Sequence, residues 1–491
     1  MAHLLPLRLT VIAMAVMQTK SSGKGGNMKL VLIAPSSSKW RLVGEQSLFN
    51  GKTFRFSMLS LLSVAAATPS DVDITIVDEQ IEAIDWHTPA DLVGITCMTA
   101  LAPRAYEIAR GFRQRGIPVV LGGMHPTLCP NDAARHADAI VVGNAEGVWP
   151  RVVEDARRRR LQSIYESPTT GAMVVRKHPP RQLLQTDRYA TVNAVQATLG
   201  CPNRCDFCAV TAFHQGQYAQ RSVKDVIEEV NAINNDFFMF VDDNLTADPD
   251  YAKRLFHALA PLKKKWVAQS TLSIAKDRDF VKQAADAGCI GIFAGLETFS
   301  PDNLTAVNKD CHRVADYQHA VKALHDHGIC VEAGIVLGFD GDDPATFGHT
   351  LKMLDRIKVD VIQVSIFTPL PGTPRYERMK ARIFDTDWSH FDFHHVVFTP
   401  QRLSPEQLQA GHDWLTQQFY RPRRIARRLF RHLFRPGGLA TLKYLAAINL
   451  AYFGRIWSWK IKGDNPAAKS KARRPTTAAP AHPAIIGDML N

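Results

Sequence analysis

The strongest chemical signal in this 491-residue chain is Cys201-Pro202-Asn203-Arg204-Cys205-Asp206-Phe207-Cys208, three thiols within eight positions. Eight cysteines in all are too few for a disulfide-stapled scaffold, so this crowding reads as a metal or redox site. Zinc prefers four tetrahedral ligands, often two C-x-x-C pairs, and no second pair lies nearby. Three thiolates suit a [4Fe–4S] cubane with one iron left open. That iron would chelate the amino and carboxylate groups of S-adenosylmethionine and align its sulfonium for electron transfer. A structural zinc site and a reduced loop without metal stay open as plainer readings. A low-potential cluster needs reducing surroundings, which favours a cytoplasmic location.

Such a site needs rigid neighbours, and the residues around it supply a strand-and-helix rhythm. Apolar runs predict strands at Val192–Thr198, Phe237–Val241, Trp266–Thr271, Gly291–Gly295, Val331–Gly338 and Val361–Thr368. Helical periodicity predicts Val223–Ala232, Tyr251–Leu259, Asp279–Ala287, Ala315–His327 and Pro344–Arg356 between them. In β/α barrels chemistry collects at the carboxyl ends of the strands. Leaving those ends here are Asp242-Asp243-Asn244, Gln269-Ser270, Glu297, Gly334 to Gly338 and Thr368 to Pro374. Helix capping and loop solvation are the plainer reading of Asp242 and Asp243, whose pairing alone does not make general acid–base chemistry.

Upstream, residues 29–160 alternate short apolar runs with helical segments. Strands are predicted at Leu30–Ala34, Asp73–Asp78, Leu92–Thr96, Pro118–Leu121 and Ala139–Val142. The helix Pro103–Arg115 carries Ala105, Ile108, Ala109 and Phe112 on one face. This alternation reads as an open parallel sheet, whose ligands sit beyond the carboxyl ends of its strands. Those ends hold Pro35-Ser36-Ser37-Ser38, Thr96-Cys97-Met98-Thr99, Gly122-Gly123-Met124-His125-Pro126-Thr127 and Gly143-Asn144-Ala145-Glu146. No G-x-G-x-x-G follows the first strand, which leaves a dinucleotide site unsupported. Ordinary tight turns would account for the same residues.

The C-x-x-x-C-x-x-C segment, following a predicted strand in a chain with this repeat, resembles the signature of the radical S-adenosylmethionine family. The resemblance implies a [4Fe–4S] cluster on Cys201, Cys205 and Cys208, and one-electron cleavage of S-adenosylmethionine to methionine and a 5′-deoxyadenosyl radical. It also implies a partial (β/α)6 barrel in which Glu297, Gly334 and Gly338 help to hold S-adenosylmethionine. Residues 29–155 are similar to the cobalamin-binding domain that precedes many such barrels, through Gly122-Gly123-x-His125-Pro126-Thr127 and Gly143-x-x-Glu146. Gly122, Gly123, His125, Gly143 and Glu146 are therefore expected to serve the cobalamin. The D-x-H-x-x-G signature of a cobalt-ligating histidine is absent, so His125 is expected in a structural or hydrogen-bonding role at the corrin edge. The resemblance covers residues 29 to about 400. It implies methylation of an unactivated carbon, with oxidative cyclisation or ring rearrangement as the alternative outcome. A small-molecule substrate, and an electron donor such as flavodoxin or ferredoxin, are the partners it implies.

The expected architecture is thus α/β. An N-terminal open parallel cobalamin-binding sheet spans 29–165, a linker 166–190 and a partial (β/α)6 radical barrel 191–385. A helical, basic region spans 386–463, and 464–491, rich in Ala, Pro, Lys and Arg, is expected to be disordered. Residues 1–28 read as an extension: Leu4 to Met17 is apolar but short and interrupted by Arg8, and Met28 directly precedes a good strand. A surface helix and a targeting peptide are the alternatives there. From Arg421 onward fifteen Lys and Arg face only Asp464 and Asp488, a net of +13 in a chain whose total is +12. The body is therefore nearly neutral and no nucleic-acid partner is expected. Seven arginines between Arg421 and Arg435, followed by an apolar segment with aromatic residues, suit either peripheral contact with an anionic membrane or a helical cap on the barrel. Membrane contact would favour a lipophilic substrate such as an isoprenoid lipid or a tetrapyrrole. Trp388 to His395 holds three histidines, read as a polar-aromatic loop near the site mouth rather than a metal site.

Overall fold

The computed structural model describes residues 27–37, 58–167, 178–189, 193–309 and 311–461, with side chains to 456. The extension ahead of Asn27, the middle of the linker and the tail beyond Ile461 lie outside the described residues.

Six parallel strands form the first sheet: β1 Met28–Ala34, β2 Val72–Asp78, β3 Leu92–Thr96, β4 Val119–Gly122, β5 Ala139–Val142 and β6 Ile164–Glu166. Their order is β2-β1-β3-β4-β5-β6. The sheet is covered on both faces, as a fully apolar parallel sheet must be. Helices α1 Leu59–Ala67 and α5 Trp149–Arg157 pack on one side with Leu30, Leu32 and Val120. Helix α2 Ala102–Gln114 packs on the other, its Ala105, Ile108, Ala109 and Phe112 all fully buried against Val31, Val93 and Ile95. Two short helices, α3 Met124–Leu128 and α4 Pro130–Ala133, follow β4. Strand β6 was not expected: three residues beside a proline carry too little periodicity to announce a strand.

The second half alternates strands and helices around six parallel strands ordered β14-β13-β12-β11-β10-β7. These are β7 Ala194–Val195, β10 Phe237–Phe240, β11 Lys265–Gln269, β12 Cys289–Glu297, β13 Cys330–Leu337 and β14 Val361–Ile366. Between β7 and β10 lie β8 Thr198–Gly200, α6 Ala209–His214, β9 Tyr218–Gln220 and α7 Val223–Asn231. The crossovers are α8 Pro249–Leu259, α9 Arg278–Asp286, α10 Pro301–Ala306 with α11 Tyr317–Asp326, and α12 Pro344–Ile357. Each crossover offers one apolar face to a single core that also takes Trp266, Ile292, Val331 and Ile366.

One expected strand divides. Val192–Thr198 yields only the two residues of β7, after which the chain leaves the barrel and β8 pairs antiparallel with β9. The cause is a carboxylate at the end of the neighbouring strand. Asp242 takes the amides of Ala197 and Thr198 and the Thr198 hydroxyl, replacing the ladder bonds a longer strand would use.

After α13 Pro374–Met379 come three helices, α14 Pro405–Phe419, α15 Pro422–His432 and α16 Gly438–Ile461. Helix α14 is capped by Ser404, whose hydroxyl accepts from Gln407 N while the Gln407 side chain returns to Ser404 N. Helix α16 lies at the amino-terminal mouth of the barrel. Leu445 and Asn449 are fully buried there, and Arg435 pairs with Asp360, just ahead of β14, at 3.0 Å. A Cβ on Gly291 would stand 3.1 Å from the Tyr444 ring, so the glycine in β12 makes room for the helix. The inner face of this region is a cap on the barrel. No helix among the described residues is long and apolar enough to cross a membrane.

Candidate active site

Cys201, Cys205 and Cys208 line one cavity at the carboxyl ends of the barrel strands, with Phe207, Asn244, Phe293 and Gly334. Both ends of their loop are pinned. At its root Asp242, 1% exposed, holds the amides of Ala197 and Thr198, and Gly200 N donates to Asp243 Oδ2 at 3.0 Å. Burial pushes Asp242 up to about 7 and Asp243 up to about 6. Bracing the loop is what both do. On the far side Arg375, early in α13, donates to Asp206 Oδ2 at 2.7 Å and to the Ala306 carbonyl. Its backbone N donates to Asp206 O at 3.1 Å, and Arg378 also reaches the Asp206 carboxylate.

Donors surround the thiols. Asn244 Nδ2 donates to Cys201 Sγ at 3.7 Å, while Asn244 Oδ1 is buried with no hydrogen-bond partner among the described residues. Burial pushes the Cys205 thiol up to about 12, an effect the Lys309 ammonium opposes. Lys309 Nζ donates to Glu297 Oε1 at 2.7 Å, both side chains being nearly buried in the cavity wall. Burial disfavours the Lys309 charge, but Glu297 and Cys205 outweigh it and hold its pKa above the ordinary lysine range. Glu297 ends β12 with φ of 64°, where the register with β13 shifts. At Gly295 a Cβ would stand 2.3 Å from Glu297 Oε1, so a glycine there lets the carboxylate fold back over its own strand.

The expected site residues separate into two groups. Glu297 and Gly334 line the cavity with the cysteines. Gly338 does not: its φ is 103°, its N–H is held by Asp342 Oδ2 at 2.8 Å, and its Cα faces Leu408 of α14. Gly338 is a turn residue that lets α14 approach.

In the first sheet, Gly122 ends β4 and, among the described residues, nothing stands closer than Val141, 3.8 Å from where a Cβ would be, an open shelf. Gly123 crosses close over the Cys97 backbone at φ 103°. Gly143 N donates to Thr127 Oγ1 at 3.0 Å, and Glu146 sits half-buried in the turn after β5. Met98, just beyond β3, is 56% exposed on the same edge. His125 turns inward instead. It is fully buried, with Nε2 2.9 Å from the Tyr106 hydroxyl and 3.2 Å from Asp132, and Nδ1 3.4 Å from the Thr99 hydroxyl. Burial lowers its pKa, and the edge of Trp388 meets its ring. These contacts set His125 at a junction between the two halves.

The two edges face each other, for α3 packs on α6, the helix directly after the cysteines. A Cβ on Gly372, at φ 77° in the loop after β14, would stand 3.1 Å from Leu128 of α3. Residues 388–395 bridge the halves: Ile366 N, ending β14, donates to Phe393 O at 2.7 Å, while the Trp388 indole donates to Asp132 at 3.2 Å. His390 and His395 in that loop are held by Asp385 and Asp392.

Three side chains of the site carried no sequence signal that isolates them. A lone lysine, Lys309, and a lone glutamine, Gln363, have no spacing to read. Arg375 follows the loop ending strand six, and proximity to that loop was its only cue.

The donor set fits a cubane. Among the described residues no three His, Cys, Asp or Glu side chains converge as a single metal ion would require. A cubane binds each thiolate through a different iron and so needs a wider triangle. The amide of Asn244 and the charge of Lys309 suit a sulfur-rich anion. The open shelf at β3 to β5 likewise fits a flat, bulky ligand laid against the cavity.

The model of the radical SAM superfamily matches residues 195–354, and that of the B12 binding domain matches residues 58–153. The chain is 30% identical to bacteriochlorophyllide d C-8(2)-methyltransferase of Chlorobaculum tepidum, over 75% of this chain and 88% of that one. It is 28% identical to bacteriochlorophyllide d C-12(1)-methyltransferase of the same organism, over 82% and 91%. Among solved structures it shares the fold of the radical S-adenosylmethionine methyltransferase TsrM from Kitasatospora setae, solved with cobalamin and a [4Fe–4S] cluster bound. The TM-score is 0.62 at 14% identity, over 81% of this chain and 90% of that one.

Proposed function

Because the chain belongs to the cobalamin-binding radical S-adenosylmethionine enzymes, we propose that it is a C-methyltransferase acting on an unactivated carbon of a lipophilic polycyclic substrate, with a tetrapyrrole the first choice. The observation that carries this reading is the cavity lined by the three thiols, with α6, the helix that follows them, packed on α3 of the first half. Bound there, the cluster and S-adenosylmethionine supply a 5′-deoxyadenosyl radical and cobalamin supplies the methyl group.

The chain's own residues do the rest. Cys201, Cys205 and Cys208 hold the cluster, and Asp206 clamped by Arg375 keeps their loop in place. Glu297, paired with Lys309, and Gly334 receive S-adenosylmethionine. Gly122, Gly123, Gly143 and Glu146 border the corrin, and His125 supports that edge from behind. Phe207, Phe293 and Ile335 give the cavity an apolar wall suited to a ring system. The cobalamin half is 29–165 and the barrel 191–385.

Anaerobic reconstitution with iron, sulfide and cobalamin, followed by S-adenosylmethionine, reductant and a pigment or lipid extract, tests this. The expected products are 5′-deoxyadenosine, S-adenosylhomocysteine and a molecule heavier by one CH2. Cys205→Ala should abolish cluster and turnover. An oxidised or cyclised product without a new methyl group would move the assignment to an oxidative cyclase, and absence of 5′-deoxyadenosine would sink both.

A lipophilic substrate and a reduced flavodoxin or ferredoxin as electron donor would suit an enzyme in the cytoplasm, at the inner membrane face. Supporting this, Phe430 and Phe434 at the end of α15 are 61% and 76% exposed beside the exposed Arg423 and Arg427. No acidic residue occurs between Arg421 and Ile461. This ridge lies near Gly328, at the opposite end of the barrel from the cavity, so it would tether the enzyme rather than feed the site. Flotation with anionic liposomes should be salt-sensitive and lost in Phe430→Ser/Phe434→Ser. Binding unchanged in that variant would remove the tether.

A further inference from the structure

Beneath the cavity lies a polar chain that the proposed chemistry leaves unused. Gln363 of β14 lines the cavity floor. Its Nε2 donates to Glu332 Oε1 at 3.0 Å, one level deeper in the barrel on β13. Glu332 is only 7% exposed, and the same oxygen accepts the Tyr452 hydroxyl of α16 at 3.0 Å. Tyr452 is fixed in turn. Its ring stacks on Tyr420 at 5.2 Å, and the Tyr420 hydroxyl bridges the backbone of Ile362, donating to its carbonyl at 2.7 Å and accepting from its N–H.

A glutamine amide is two-faced: one end donates, the other accepts, and an unanchored side chain presents either. Burial lifts the Glu332 pKa to about 7, and above it the ionised carboxylate only accepts, so Glu332 then selects the NH2 end of Gln363 and leaves the carbonyl oxygen for the cavity. Burying a carboxylate under an enzyme floor is unfavourable unless it is hydrogen-bonded, and here two donors meet it. Register supports the geometry. Glu332 and Gly334 point to the same side of β13, and Gly334, a cavity residue, pairs with Gln363 across the ladder.

We propose that Glu332, buttressed by Tyr452 of the C-terminal helix, is a positioning residue that locks the Gln363 amide with its carbonyl oxygen toward the cavity. The floor of the site thereby accepts a hydrogen bond from an N–H or hydroxyl group of bound S-adenosylmethionine. This rests on the proposed cofactor reading, and it makes α16 part of the active site rather than a lid on the far end of the barrel.

The test is equilibrium dialysis of S-adenosylmethionine against the anaerobically reconstituted full chain, with iron content and thermal midpoint measured alongside. Glu332→Met frees the amide to turn and should weaken binding about five- to tenfold, the scale of one hydrogen bond. Binding is measured at pH 8, where Glu332 is ionised; Glu332→Gln keeps an acceptor oxygen but adds a competing NH2, so its affinity should lie between wild type and Glu332→Met. Gln363→Met should match Glu332→Met, and the double variant should be no weaker than either, since the two act as one unit. A role confined to folding predicts lower iron content or midpoint with unchanged affinity. That result, a failed rescue, or effects that multiply would overturn the proposal. Should Glu332→Met fold poorly, Tyr452→Phe decides: about twofold weaker binding at unchanged iron content supports the lock, and unchanged affinity overturns it. Wild-type protein that carries the cluster but does not bind S-adenosylmethionine would instead sink the cofactor reading itself.

Discussion

At Glu297 a left-handed backbone, rare for a residue with a Cβ, coincides with a carboxylate pinned at 2.7 Å by a nearly buried lysine. Order along the chain pointed to Glu297, because an acidic residue after the fourth barrel strand is part of the resemblance. Its partner was invisible for the reason given above, and yet the pair is a unit. Lys309→Met should strand Glu297 as an unpaired, mostly buried carboxylate and cost about 2–4 kcal/mol in urea unfolding of the cluster-free chain, where Lys309→Arg costs about 1 or less. Equal losses in the two variants would show that shape, not charge, matters there. Glu332 gives a second prediction. Burial pushes its carboxyl up to about 7 from an ordinary 4.5, so the folded chain keeps a proton that the unfolded chain releases. Its contribution to stability is full below about pH 4.5 and falls as pH rises to about 7. Against Glu332→Gln, which does not titrate, the wild-type thermal midpoint should therefore decline more steeply between pH 5 and pH 7. Parallel curves would place the Glu332 pKa in the ordinary range.

At the scale of elements, the periodic segments were legible and the irregular ones were not. Helix α2 buries the four residues its spacing marked. The strand before the cysteines was overextended because apolar character runs from Val192 to Thr198, while the carboxylate that ends it lies more than forty residues downstream. Local pattern cannot register a long-range competitor for backbone amides. The same nonlocality hides Arg375, which clamps the cysteine loop across 169 residues of sequence. Arg375→Ala should leave the barrel folded by circular dichroism and lower iron incorporation by more than half. Arg375→Lys should not restore it, since one ammonium cannot serve both the Asp206 carboxylate and the Ala306 carbonyl in the fork geometry of a guanidinium. Full iron content in Arg375→Ala would mean that the Asp242 root suffices.

At the scale of the whole molecule, composition pointed to two α/β halves but said nothing of how they meet. The tail shows why. Arginines alternating with apolar residues suit a membrane and a cap equally in sequence, and the outcome turned on a few buried contacts, such as Arg428 lying 4.0 Å over the Phe419 ring. The junction of the halves was equally hidden, being built from residues as far as 256 positions apart. Trp388 donates its indole N–H to Asp132 and sets its ring edge against His125, while Tyr106, Arg135 and His125 also converge on Asp132. Burial opposes ionisation of that carboxyl, but these donors prevail and hold it down to about 2. A charged hub of this kind fixes orientation, because removing one spoke leaves the others without their common acceptor geometry. Trp388→Ala should loosen the junction by about 1–3 kcal/mol, less than a fully buried tryptophan would lose. Trp388→Phe keeps the ring and should cost only about 1 kcal/mol, the hydrogen bond alone. Hydrogen exchange reads this directly: amides of 97–136 and 385–398 should exchange faster together in Trp388→Ala, with those of β12 and β13 unchanged. Faster exchange in β12 and β13 as well would mean that the halves fold as one unit. No change at either place would mean that the packing of α3 on α6 and of Gly372 on Leu128 holds the two halves together without Trp388.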